Sequence, residues 1–331
     1  MRARNNLVAG LLGSTAILLT YAAVNGAKAG FFASGDVMAS TASGQVTVYD
    51  HNLSVVAPKT VLNTGAGGFT TGSAFDSSGN FYVTNFSNSN VYKFSGVDGT
   101  PQGTFGSGYS TPESILFDAL GNAYVGNLGN GIRKYNSAGT FLGSSLPTTR
   151  VDWIDLAGDQ KTMFWNDEGT TIRRVDVSTG TALADFGSTF GTRGFALRII
   201  PSGPLVGHVL VAAGNQISLI DPTGAFVMAY DDPNVANGLW FALNLDPDGT
   251  SFWSGDGSTG EIAQFRISDG TLLQSRFSCG SSCLYGLSIA GELTASQPPP
   301  DQGQVPEPAT LALFGAGLFG MAAAARRRKQ S

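Results

Sequence analysis

Charge is scarce in this 331-residue chain: Asp, Glu, Lys and Arg together make up 13% of it, against ~25% in an ordinary soluble protein. That is too little for a coiled coil or a long-helix protein. Histidine occurs only at His51 and His208, so an imidazole zinc site or a Ser-His-Asp triad is poorly supplied. Cysteine occurs only at Cys279 and Cys283, and their spacing is not that of a Cys-x-x-Cys redox pair. Apolar side chains still reach 42%, which excludes a disordered chain. Glycine, with 45 residues, has about twice its usual share. Gly, Asn, Ser and Asp separate short β-branched and aromatic runs, the pattern of an all-β protein rich in tight turns.

Both ends carry sorting information. Residues 1–29 read as a secretory signal: Arg2 and Arg4 lead, an apolar stretch runs from Leu7 to Val24, and Ala27-Lys28-Ala29 offers a small-x-small cleavage site. An uncleaved anchor is the alternative. Export places Cys279 and Cys283, in Cys-Gly-Ser-Ser-Cys, in an oxidising compartment, where a structural disulfide is expected and a redox-active pair is the alternative. At the other end a Pro-rich linker, residues 294–304, precedes a segment over 305–331. That segment holds Val305-Pro306-Glu307-Pro308, an apolar run from Ala309 to Ala325, and Arg326-Arg327-Arg328-Lys329. Seventeen residues rise ~25 Å as a helix, barely enough for a ~30 Å bilayer core. The basic cluster marks the cytoplasmic side.

This ending resembles the PEP-CTERM sorting domain of Gram-negative bacteria in motif, apolar run and basic tail. The resemblance implies export through the Sec machinery, tethering in the inner membrane by residues 309–325, and processing by exosortase near Pro306, Glu307 and Pro308. Arg326, Arg327 and Arg328 then act as the stop. It further implies release to the periplasm, outer surface or extracellular matrix, and an association with exopolysaccharide and biofilm. A plain C-terminal anchor is the alternative. Between the ends, residues 30–293 hold 12 basic and 22 acidic residues, a net charge near −10. An acidic surface disfavours nucleic acid and anionic membrane as partners.

The middle repeats. Phe75-Asp76-Ser77-Ser78-Gly79-Asn80-Phe81-Tyr82-Val83 returns 42 residues later as Phe117-Asp118-Ala119-Leu120-Gly121-Asn122-Ala123-Tyr124-Val125. Each copy reads as strand, turn, strand. Weaker copies follow around Asp155 and Asp246, and these aspartates are expected at the hairpin turns. Third strands begin near Val91, Ile132, Ile172, Ile217 and Ile262, and a turn and short fourth strand follow. Four short strands per ~42 residues predict a β-propeller blade. First strands near 72–76, 114–118, 151–156, 194–200, 239–245 and 285–289 count six blades, with seven as the alternative. The last blade is expected to close from both ends, with strands at Gly35–Ala39, Val46–Asp50 and Leu53–Ala57 joining Tyr285–Ile289. The repeat resembles NHL and gluconolactonase-like six-bladed propellers in its Asp-x-x-Gly-Asn-x-Tyr-Val hairpin.

First strands line the channel of a propeller, so residues at their start can converge on a ligand. Those positions hold Ser73, Glu113, Asp152, Arg193, Trp240 and Tyr285. Glu113 and Asp152 could together hold one divalent cation such as calcium. The gluconolactonase resemblance implies an acid–Asn–Asp set there, but no Asn occupies the matching entrance positions. The expectation is therefore a non-enzymatic binding or matrix protein without a cofactor, acting on extracellular polysaccharide or a surface protein. A metal-dependent lactonase-like or other hydrolytic propeller is the alternative.

Overall fold

The computed structural model describes residues 30–53, 59–233, 235 and 238–295, and every regular element among them is a strand. The signal, most of the Pro-rich linker and the sorting tail with its apolar run lie outside the described residues. Strands β1 (Val37–Thr41), β2 (Gln45–Tyr49) and β3 (Thr60–Asn63) come first. Four of the blades are simple four-stranded meanders on one plan. The first runs β4 (Thr70–Phe75), β5 (Phe81–Asn85), β6 (Asn90–Phe94) and β7 (Pro101–Thr104). The second runs β8 (Pro112–Phe117), β9 (Ala123–Asn127), β10 (Gly131–Tyr135) and β11 (Phe141–Ser145).

In the next blade β12 (Ile154–Leu156), β13 (Thr162–Trp165) and β14 (Thr171–Asp176) are followed by a divided outer strand. Its two pieces, β15 (Thr181–Ala182) and β16 (Gly187–Ser188), both pair with β14. The meander then resumes with β17 (Leu197–Ile199), β18 (Val209–Ala212), β19 (Ile217–Ile220) and β20 (Phe226–Tyr230). The last complete one is β21 (Trp240–Leu245), β22 (Ser251–Asp256), β23 (Glu261–Arg266) and β24 (Leu272–Phe277). Finally β25 (Leu284–Ile289) returns to β1, giving the sheet order β25-β1-β2-β3. The register sets Val37 opposite Ile289 and Ala39 opposite Leu287. Six blades result, closed by strands from both ends of the domain, which removes the exposed inner edges of an open array.

The recurrent turn has a local cause. In the β4–β5 hairpin, the Asp76 carboxylate accepts from the backbone N–H of Ser78 and of Asn80, both at 2.9 Å. Gly79 supplies a φ of +78°, which few side chains tolerate. Asp118, Asn122 and Gly121 repeat the arrangement between β8 and β9. Between β21 and β22 the cap is shared: Asp246 accepts from the Asp248 N–H at 2.9 Å, and Asp248 accepts from the Thr250 and Ser251 N–H groups at 2.7 and 2.8 Å. Asp246 also accepts from Trp253 Nε1 at 2.7 Å and pairs with His51 Nε2 at 2.7 Å. Asp155 departs from expectation. It lies within β12, and its carboxylate accepts from the Ile199 N–H of the next blade at 2.7 Å, while Asp159 caps the turn. The expected strand at Leu53–Ala57 is also corrected: Leu53 sits in a turn with its N–H bonded to Asp50 O, and the outer strand is β3. Residues 54–58 lie outside the described residues.

The inner strands β4, β8, β12, β17, β21 and β25 touch in a closed ring around the axis. They approach so closely that a Cβ on Gly286 would lie 1.9 Å from Thr71 O, and one on Gly72 2.5 Å from Glu113 O. Between blades, buried aromatic and aliphatic side chains fill the gaps, with Trp153, Trp240, Trp253, Phe252 and Phe265 at most 1% exposed. Each such side chain contributes about 1.5–3 kcal/mol through burial.

Candidate functional site

The channel has two mouths. One lies where the inner strands begin, and the chain around it can be followed side chain by side chain. Phe69, 39% exposed and just ahead of β4, meets Tyr285 of β25 edge to face at 4.8 Å. Tyr285 meets Phe241 of β21 at 5.9 Å, and Phe241 meets Phe195, ahead of β17, at 4.6 Å. The Arg193 guanidinium lies over Phe195 at 5.7 Å and donates to Glu168 Oε2 at 2.6 Å. Arg150 bridges the next pair: Nη2 reaches Glu168 Oε1 at 3.0 Å, while Nε donates to both Asp152 oxygens at 3.0 and 2.8 Å. Glu113 follows, and its backbone packs against Gly72 of the blade that Phe69 precedes. The circle closes as an aromatic half and a charged half. Trp153 and Phe241 meet edge to face at 6.0 Å just inside.

Oxygens of Glu113, Asp152 and Glu168 lie within 4.8 Å of one another. Burial pushes the Glu113 carboxyl well above its ordinary range, and its hydrogen bond to Asp152 and the neighbouring negative charges push it further. Glu113 Oε2 is buried and without a hydrogen-bond partner. The donor set fits a divalent cation poorly. Both Asp152 oxygens and both Glu168 oxygens are engaged by guanidiniums, leaving one free carboxyl oxygen where calcium takes about six to eight. Two guanidiniums in the same cluster also repel a further cation.

Four of the six expected residues therefore meet at this mouth: Glu113, Asp152, Arg193 and Tyr285. Ser73 is placed deeper, 2% exposed, bonded through its hydroxyl to Ser288 at 2.8 Å. Trp240 is fully buried between blades against Phe265, with Nε1 donating to Asp231 at 3.0 Å. It is a core residue and not an entrance residue. A register shift between Trp240 and Ala242 turns its side chain away from the axis. Sequence reasoning missed Arg150 and Glu168. Arg150 stands two residues before Asp152, and Glu168 lies in the β13–β14 turn at a φ of +60°, outside the first strands.

The second mouth, where the hairpin turns gather, is crossed by residues 291–295. Glu292 lies in the field of Asp155 and Arg198 there, and burial pushes its carboxyl up to about 7. Burial pushes the Asp155 carboxyl up to about 6. On the side of the first mouth, Cys279 and Cys283, in the connection before β25, are joined as a disulfide.

A family model described as the PEP-CTERM protein-sorting motif matches residues 304–329. No curated protein sequence matches the chain. Among solved structures, the chain is similar to one in the crystal structure of a nidogen/laminin complex, at 16% identity and a TM-score of 0.60. That match covers 80% of this chain and 99% of the other. It is also similar to the β-propeller domain of Myceliophteria thermophila Cps50 (Swd1), at 10% identity and a TM-score of 0.53, covering 76% and 89%. Identities this low speak to fold alone. The chain carries a PEP-CTERM sorting motif, which implies export, membrane tethering and exosortase processing, behind a six-bladed β-propeller.

Proposed function

We propose that the sorted propeller is a non-enzymatic binding protein of the cell surface or extracellular matrix, and that its channel mouth holds a polysaccharide segment. The observation that carries this reading is the divided mouth. Tyr285 and Phe69 pack edge to face at its edge, with Phe69 39% exposed, an aromatic surface on which a sugar ring can lay its C–H face. Across from them, Arg150, Arg193, Asp152 and Glu168 are already paired among themselves. Such a network offers oriented donors and acceptors to hydroxyls without demanding a charged partner. The same pairing works against the hydrolytic alternative, because it occupies the oxygens that a catalytic cation or a general base would need.

Affinity electrophoresis of the propeller through gels containing exopolysaccharide from the producing cells tests the proposal. Retardation is expected, and Tyr285→Ala and Phe69→Ala should each weaken it by about tenfold, the loss of ~1.4 kcal/mol of stacking. Phe69 is exposed at the edge, so Phe69→Ala should leave thermal unfolding nearly unchanged. Tyr285 packs on Phe241 and the adjoining inter-blade cluster, so Tyr285→Ala is scored below its own measured melting transition. An unretarded wild type, or variants retarded as strongly as wild type, would overturn the assignment.

A further inference from the structure

The second mouth opens beside a cleft of about 930 Å³ between the blades of β12–β16 and β17–β20. Its walls are apolar and aromatic, from Phe164, Phe186, Ile200, Val206 and Pro222. Phe164 and Phe186 meet edge to face at 5.0 Å, and the Arg174 guanidinium lies over both rings at 5.8 and 5.9 Å. Val206 is 55% exposed at the rim. Grooves walled by aromatic rings with a planar cation suit polyproline II segments, whose stiff helix lays proline rings on the aromatic faces. Prolines also bring no N–H that would have to be satisfied in an apolar groove.

The chain delivers such a segment to this cleft. Ala295, the last described residue, lines the cleft, packs with Phe164 and Ile199, and directs its carbonyl at Gln160 Nε2, 3.5 Å away. Ser296-Gln297-Pro298-Pro299-Pro300 follows directly. At ~3.1 Å per residue, Pro298 comes within about 10 Å of Ala295. We propose that this cleft is an intramolecular dock for the protein's own Pro298-Pro299-Pro300. Docking shortens the tether. Only residues 301–305 then separate the groove from Pro306, a span of about 15 Å. The face carrying the hairpin turns is held close to the membrane, and the aromatic and charged mouth points outward. Cleavage near Pro306-Glu307-Pro308 leaves the docked segment with the propeller.

The test uses the full chain in its membrane, with a benzophenone amino acid replacing Val206. Illumination should give a crosslink within the same chain, mapped by mass spectrometry to residues 296–302. Replacing the three prolines, P298G, P299G and P300G together, should abolish that product. Because these residues lie outside the propeller, the urea unfolding midpoint should stay unchanged, which separates lost docking from lost folding. An undiminished crosslink in the triple variant, a crosslink to another segment, a second copy or another protein, or no linker product in the wild type would each overturn the proposal.

Discussion

Removing β25 should unfold the whole domain, because it is the inner strand that the far end of the domain contributes to the blade of β1, β2 and β3. Leu284, Leu287 and Ile289 are each at most 1% exposed and pack with Val37, Ala39 and Trp253. At about 1.5–3 kcal/mol for each side chain, β25 contributes roughly 5–9 kcal/mol by burial. That is comparable to the ~5–15 kcal/mol net stability of a typical domain. Truncation also strips β1 of its partner from Val37 to Thr41 and leaves an open inner edge. A chain ending after Ala295 should therefore melt cooperatively, whereas one ending after Cys283 should show no cooperative transition. The single change Leu287→Ala is the graded version. It should cost about 2–5 kcal/mol, a fall of roughly 5–15 °C in Tm. Circular dichroism melts of the three proteins decide it. A cooperative, wild-type melt from the chain ending after Cys283 would refute closure by both ends.

Thiol labelling under denaturing conditions should find no free cysteine in the exported protein without reductant, and two per chain after reduction. Two labelled thiols before reduction would contradict the Cys279–Cys283 bond. Stability should decline as pH rises from 5 to 8. The carboxyls of Glu292 and Asp155 are pushed up to about 7 and about 6 by burial, so the native state binds their protons more tightly than the unfolded chain. Their contribution is complete below the unfolded values near 4 and is lost as pH rises through 6 to 7. Urea midpoints should show this slope in wild type and a flatter one in Glu292→Gln. At the acid end, Asp269 is held at about 2 by hydrogen bonds from Thr271 and Arg266, so stability should fall again below pH 4.

The blades were legible because their turns have strict chemistry. Asp76-x-x-Gly79-Asn80 and its copy at Asp118 can be read directly, since the carboxylate caps two N–H groups and glycine alone takes the positive φ easily. Alternation is visible in β2, which buries Val46 and Val48 while Gln45 and Thr47 stay half-buried, whereas β14 buries Ile172 and Val175 three residues apart, on opposite faces. Which side chains face the channel was less legible. Inner strands shift register near their starts, between Thr70 and Ser73, Pro112 and Ser114, and Trp240 and Ala242. One residue of slip exchanges the two faces of a strand, which is how Trp240 came to read as an entrance residue. Glu168 and Arg150 were hidden for a different reason. They reach the mouth from segments outside the inner strands, and only the spatial ring of blades brings them beside Asp152.

The fate of the C-terminus reports most directly on the sorting of this propeller. The sorting motif spans residues 304–329, and no strand of the propeller lies beyond Ile289 among the described residues. Cleavage near Pro306-Glu307-Pro308 therefore costs the fold nothing. Intact mass spectrometry of mature protein collected from the cell surface or medium of the native host should give a chain ending near that motif, without Arg326-Arg327-Arg328. Replacing Glu307 with Ala should leave the full-length chain in the inner membrane. Mature wild-type protein that still carries residues 326–329 would contradict processing and reduce the tail to a permanent anchor.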